Sequence, residues 1–378
     1  MSTQMTEDWR ARGIIDLDIH PALRDGTNSL LPYVSAAWRD RLALHNMSFT
    51  KLTGPRYINP NPTNRLDATP PGGGPPASDP EFVVSHHLDP AGIGCALLLC
   101  FQAGALNAWA DGREAAEWAT AYNRYFAENW LGVDSRFRLG MVVAPHDPER
   151  AAAEVRRMGP NPGVAGVWLP LLNMLLGNRY YYPIYAAAAE LGLPILVHGG
   201  GADGSFQGAA PLAVASPSTF AERYASLAAG GIYSSNLCSL IFEGVFETFP
   251  TLKVVFIETS GWTWVGPAMW KMDRSWMGLR RQVPWLKEPP SHYVLEHCRF
   301  TSEPVDEPEP RMWLLQAAQM MHAERTLCYS SDYPHWDADA PDFVFKDFPE
   351  SLRQRIFVEN ALETFGSRMS LGQTRTAV

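Results

Sequence analysis

The chain has 378 residues, 46% of them hydrophobic and 19% charged, which is enough apolar material for a large core and too much for a disordered polymer. Its 31 Lys and Arg against 40 Asp and Glu leave a formal charge of -9 with no basic run, so nucleic acid is not an expected partner. The longest apolar stretches, 93–101 and 194–197, fall far short of the roughly 20 residues that cross a bilayer, and no membrane partner is expected.

The opening residues, MSTQMTEDWRARG, mix both signs of charge and lack an apolar centre. They read as a tail over 1–12 rather than a secretory leader, and a cytoplasmic protein is the expectation. Further on, short apolar β-rich runs at 13–17, 96–101, 137–143, 164–169, 193–197, 252–257, 298–301 and 326–329 predict eight strands. Helical patterns over 111–131, 148–158, 181–191, 219–249, 265–279, 311–322 and 350–365 mostly alternate with them. Eight strands joined by helical crossovers predict an α/β protein, a closed (β/α)8 TIM barrel, as one domain over 13–366 followed by a tail over 367–378.

Two stretches interrupt the alternation. Residues 46–90 include "INPNPTNRLDATPPGGGPPASDP", which sustains neither a helix nor a central strand. This is a long insertion after strand 1, on the rim where barrels keep their chemistry, and it reads as a lid or as an arm gripping a second subunit. The Gly-rich stretch 199–220 lacks the Gly-Lys-Ser/Thr ending and the spacing of a phosphate loop, so no nucleotide is expected. Five cysteines, Cys95, Cys100, Cys238, Cys298 and Cys328, are widely spaced and mostly in apolar runs, as reduced packing residues are.

The carboxyl ends of the strands carry the functional signal. Strand 1 reads "GIIDLDIHPAL", with Asp16, Asp18 and His20 two apart and so on one side of an extended chain. Strand 5 ends "LPILVHGGG", with His198 ahead of glycines that leave room for its ring, and strand 8 ends "LCYSSDYPHWD", with Asp332 and then His335. All three strands aim at one barrel mouth. Two carboxylates and two imidazoles there suit one divalent ion, Zn or Mn, with a position left for water or a small-molecule substrate. Strand 6, "LKVVFIETSGWTW", adds Glu258 as a general base, a ligand or a support. In strand 7, "EHCRFTSEP", Arg299 either clamps a substrate carboxylate or makes a structural ion pair. Trp109, Trp168, Trp262, Trp264 and Trp336 lie in or near strand ends, where they line an aromatic pocket or pack strands against helices.

The segments "IIDLDIHP", "LPILVHGGG", "GVFETFPTLKVVFIETSGWTWVGPAMWKMD", "SSDYPHWD" and "VENALETFG", in this order, resemble the amidohydrolase-2 branch of the amidohydrolase superfamily, relatives of aminocarboxymuconate semialdehyde decarboxylase and the resorcylate decarboxylases. The resemblance implies a metal-dependent barrel of the hydrolase type whose ligands are Asp18, His20, His198 and Asp332, and a homodimer made through the 46–90 arm. Where the family's decarboxylases hold His or Glu, this chain has Asp18, and where they hold a catalytic His it has Glu258. The carboxylate favours hydrolysis by metal-activated water, with Asp332 or Glu258 taking the proton. The alternative is non-oxidative decarboxylation of an aromatic or enol acid held with the help of Arg299. A third reading is a barrel without metal that binds or catalyses otherwise.

Overall fold

The computed structural model describes residues 13–44, 64–109, 111–199 and 218–370, apart from the side chains of Leu42 and of 218–229. Eight strands form one parallel sheet in sequence order: β1 (Ile14–Ile19), β2 (Ile93–Leu98), β3 (Phe137–Val142), β4 (Val164–Trp168), β5 (Ile195–His198), β6 (Val254–Ile257), β7 (Cys298–Thr301) and β8 (Leu327–Cys328). Main-chain bonds from Leu17 N to Tyr329 O (3.1 Å) and from His20 N to Tyr333 O (2.7 Å) bring the chain after β8 back to β1. The sheet thereby rolls into the expected (β/α)8 barrel. Strands of such a barrel are covered on both faces, which is why most read as largely apolar runs, while β1 alternates and buries Asp16 and Asp18. Every residue of β1, β2, β4, β5, β6 and β7 is buried.

Local chemistry sets the helix ends. Gly112–Asn129 starts where Asp111 accepts a bond from Arg113 N, and Pro148–Met158 starts at Asp147 with proline at its first position. The single helix expected over 219–249 is two, Ser218–Phe242 and Val245–Thr248, because Gly244 turns left-handed at φ +73°. The pattern over 350–365 also divides, with a π turn at Arg355–Glu359. Asn360, just past that turn, donates to the carbonyls of Ala323 (3.1 Å) and Leu327 (2.6 Å) and so ties the last helix to β8. Helices Ala36–Leu44, Pro80–Val83 and Pro290–His297 carry no amphipathic signal long enough to have been expected. The second strand begins at Ile93, three residues earlier than 96–101 would have it, since Phe101 already opens a helix.

The insertion folds onto its own barrel as far as the structure describes it. Arg65 N donates to Pro334 O (2.8 Å), Ala22 N to Ala77 O (2.9 Å), and His86 sits 2.9 Å from the Tyr333 hydroxyl. Residues 64–90 therefore line their own rim rather than extend as an arm. The rest of the insertion, the Gly-rich stretch 200–217 and both tails up to 12 and from 371 lie outside the described residues. All five cysteines are free, and four are buried. No helix among the described residues is long and apolar enough to cross a membrane.

Candidate metal centre

Register decides which side chains reach the barrel mouth. β1 carries one more residue than β2 between Asp16 and Ile19, an irregularity that re-aims the side chains after it. Asp18 and His20 point into the mouth. Asp16 instead accepts bonds from Asp18 N (3.2 Å) and Ser331 N (2.9 Å), so it braces the junction of the first and last strands and does not join the other two.

Four side chains of ligand type converge: Asp18, His20, His198 and Glu258 each place a ligand atom within 4.8 Å of the others. His20 Nε2 lies 3.3 Å from Asp18 Oδ1, 3.3 Å from His198 Nε2 and 2.8 Å from Asp332 Oδ1. His198 Nε2 lies 3.5 Å from Asp18 Oδ2 and 3.3 Å from Glu258 Oε2. The tautomers follow from the far side of each ring. His20 Nδ1 donates to Leu99 O (2.8 Å) and His198 Nδ1 to Gly199 O (2.7 Å), which turns the two Nε2 atoms into the mouth, 3.3 Å apart. With both rings neutral these atoms offer two lone pairs to a metal ion, and in its absence His20 Nε2 shares a proton with Asp332 Oδ1, 2.8 Å away. Both Asp18 oxygens are buried without a hydrogen-bond partner. A deeply buried carboxylate needs a positive partner, which a protonated His20 or a metal ion supplies, and two imidazoles with carboxylates make a donor set that a divalent transition ion fits.

The carboxylates also set the protonation of the imidazoles, so a metal ion would displace a proton here. Burial by itself would lower the His20 imidazole, but the Asp18 and Asp332 carboxylates overcome it and raise it to about 10. His198 is raised too, against its burial, chiefly by Asp18. Burial and the neighbouring Asp332 charge push Glu258 up to about 7, so it can give or take a proton near neutrality. Burial works to raise Asp332 as well, yet the imidazoles of His335, 2.6 Å away, and His20 hold its carboxyl below the usual range. Glu258 and Asp332 both adopt left-handed backbone, at φ +53° and +61°. Strain of this kind in non-glycine residues persists where the surrounding structure enforces it, commonly at functional sites.

Arg299 stays out of the cluster. It pairs in register with Val255, three residues before Glu258, and its Nη1 donates to the carbonyls of Leu295 (3.1 Å) and Cys298 (2.8 Å). It sits too early in its strand to reach the rim, and the expected carboxylate clamp is not there. Of the five tryptophans considered, Trp168 packs against His198 with ring centroids 5.8 Å apart. Trp262 and Trp264 spend their indole N–H groups on the carbonyls of Ser302 and Thr259, Trp109 packs on Trp118, and Trp336 is exposed. Two further rim residues carried no sequence signal. Phe101 stands edge-on to His20, His198 and His335. His87, from the insertion, places Nε2 3.2 Å from both Asp16 Oδ2 and Ser331 Oγ.

Several solved structures share this architecture. The 5-carboxyvanillate decarboxylase of Novosphingobium aromaticivorans, solved with manganese and 3-methoxy-4-hydroxy-5-nitrobenzoic acid, aligns with a TM-score of 0.66 at 20% identity, over 94% of this chain and 97% of that one. An amidohydrolase of Mycobacterium avium subsp. paratuberculosis aligns at 0.66 and 19% identity over 94% and 99%. The 2,6-dihydroxybenzoate decarboxylase of Rhizobium aligns at 0.63 and 19% identity over 93% and 98%. Among curated proteins no relative matches by sequence. The chain matches the family described as Amidohydrolase over residues 15–367, from the first strand through the last helix, and it belongs to that family.

Proposed function

We propose that the chain is a metal-dependent decarboxylase of a small aromatic carboxylic acid, with Asp18, His20, His198 and Asp332 holding one divalent ion, Mn or Zn. The observation that carries the reading is the pair of Nε2 atoms 3.3 Å apart beside an Asp18 carboxylate that lacks hydrogen-bond partners. The ion would supply the positive charge that draws in a substrate carboxylate and an adjacent phenolic oxygen. Arg299 does not supply that charge, because it is committed to main-chain carbonyls elsewhere.

The chain's own groups do the rest. Phe101 and Trp168 place their rings beside His198, where a planar substrate would be held. As the bond to the carboxyl carbon breaks, its electron pair stays on the ring carbon, and Glu258, poised near neutrality, delivers a proton there and is reprotonated by water. His335 holds Asp332 ionised and fixes its direction. Decarboxylation is preferred over the hydrolysis suggested by the sequence because the similar barrels include enzymes that decarboxylate hydroxylated benzoates. Hydrolysis stays as the second reading on one observation, a carboxylate at Glu258 with a proton affinity suited to a general base.

Elemental analysis of the purified protein should find a divalent ion, and His198→Ala should lose both ion and turnover while keeping the folded barrel. Incubation of the loaded protein with hydroxybenzoates in labelled water should release CO2, place a solvent hydrogen on the vacated carbon and leave no water oxygen in the product. Water oxygen in the product without CO2 would transfer the assignment to hydrolysis, and a metal-free, inactive wild-type protein would end both readings.

A further inference from the structure

We propose that Glu258, Glu303 and Asp332 form a second cation site next to the first, taking a hard divalent ion such as Mn2+ or Ca2+. Glu303 follows β7 and is 1% exposed, although the catalytic scheme above gives it no task. Its main-chain N–H donates to Ser330 Oγ (3.1 Å), which fixes the turn and sends the side chain inward. There its Oε2 is buried with no hydrogen-bond partner. Carboxylate oxygens of Glu303, Glu258 and Asp332 lie within 4.8 Å of one another. Oxygens bound to one hard ion at about 2.1–2.5 Å are separated by at most about 4–5 Å, so the three converge as ligands do.

Charge makes the arrangement costly without a counterion. Glu303 faces Asp332, Glu258, Asp337 and Asp339, all of one sign. The nearby imidazoles offset the other two members, His335 and His20 on Asp332 and His198 against Glu258, and leave Glu303 uncompensated. Among the described residues no Lys, Arg or His forms an ion pair with Glu303. A buried carboxylate cluster is stable only when a proton or a cation offsets it. The donor set is entirely oxygen, whereas the first site carries two imidazoles, so the two positions select differently: the first accepts borderline ions and the second hard ones. The inference rests on the proposed first site, with which it shares Asp332, and it takes Glu258 as the ionised carboxylate, so the second ion competes with the proton that the scheme above places there.

The test is Mn2+ titration of chelator-treated full-length protein, with bound metal counted and paramagnetic resonance recorded, on wild type, Glu303→Gln and His198→Ala. Wild type should bind two ions per chain and show exchange-coupled manganese. Glu303→Gln, which keeps shape but removes charge, should bind one ion and show an isolated manganese signal, and Glu303→Asp should recover part of the second uptake. His198→Ala should weaken the first ion. One ion in both wild type and Glu303→Gln, with equal affinity, would overturn the second site while leaving the first intact. No ion in wild type would overturn both. Circular dichroism of each variant reports whether the barrel is folded, and should Glu303→Gln fail to fold, Glu303→Asp decides by the same count.

Discussion

Replacing His87 by Ala tests whether the insertion positions the metal centre from behind. His87 stands on the π turn Val84–Leu88, its ring stacked on Tyr333 at 4.3 Å and 11°. Its Nε2 meets Asp16 Oδ2, and Asp16 in turn holds the main-chain N–H groups of Asp18 and Ser331, neighbours of the two carboxylates at the mouth. Asp16 is fully buried, so removal of the imidazole strands one carboxylate oxygen, at a cost of about 1–3 kcal/mol. The lost ring stacking adds about 0.5–1.5 kcal/mol. For a chain of this length each kcal/mol moves Tm by only about 1–2 °C, a fall of a few degrees that any packing defect could mimic. Metal affinity discriminates better, because loss of a group that orients a ligand weakens binding about 10–100-fold. Calorimetric Mn2+ titration of His87→Ala should show that loss, and His87→Gln, which can still donate to Asp16, should regain much of it. Wild-type affinity in His87→Ala despite a lowered Tm would refute the reasoning and reduce His87 to packing.

Three other outcomes are expected. Glu258→Gln should retain the first ion, since Asp18, His20, His198 and Asp332 are untouched, but slow turnover about 10²-fold or more; unchanged kcat would remove Glu258 from proton transfer. In Gly199→Ala the new Cβ would meet the Tyr233 hydroxyl at 2.2 Å, the same hydroxyl that accepts a bond from Gly199 N, so His198 should shift and Mn2+ affinity fall; equal affinity would show that the loop adapts freely. Burial, helped by Asp337 and Glu307, raises Asp339 to about 7. A raised acid contributes stability that is complete below its unfolded value near 4 and is lost as pH rises through about 7. Asp339→Asn should therefore gain Tm relative to wild type between pH 4 and 8, and a pH-independent difference would contradict the burial argument.

Much of the barrel and part of its mouth were legible in the sequence. Apolar runs at β3, β4 and β7 were located almost to the residue, because strands buried on both faces must be continuously apolar and proline or glycine closes them. Asp18, His20, His198 and Asp332 were legible as candidates because each lies at or just past the carboxyl half of a strand, all aimed at one mouth. Other features depend on contacts between distant segments, which no local pattern encodes. Asp16, two residues from Asp18 and of the same chemistry, braces the strand junction, because the extra residue in β1 comes after it and re-aims only the side chains that follow. Arg299 looked like a rim residue, but register sets it at the level of Val255. His87 and Glu303 lie in segments without periodicity and gain their meaning from Asp16 and Asp332, which are respectively 71 and 29 positions away.

What the sequence determined by itself was the set of strands, their order and the polar residues that end them, since burial and backbone hydrogen bonding impose a period on every strand and helix. Only the tertiary structure decided which of those polar residues meet. Closing eight strands into a ring fixes a register at each pairing, and a shift of one residue there turns a side chain from the mouth into the wall.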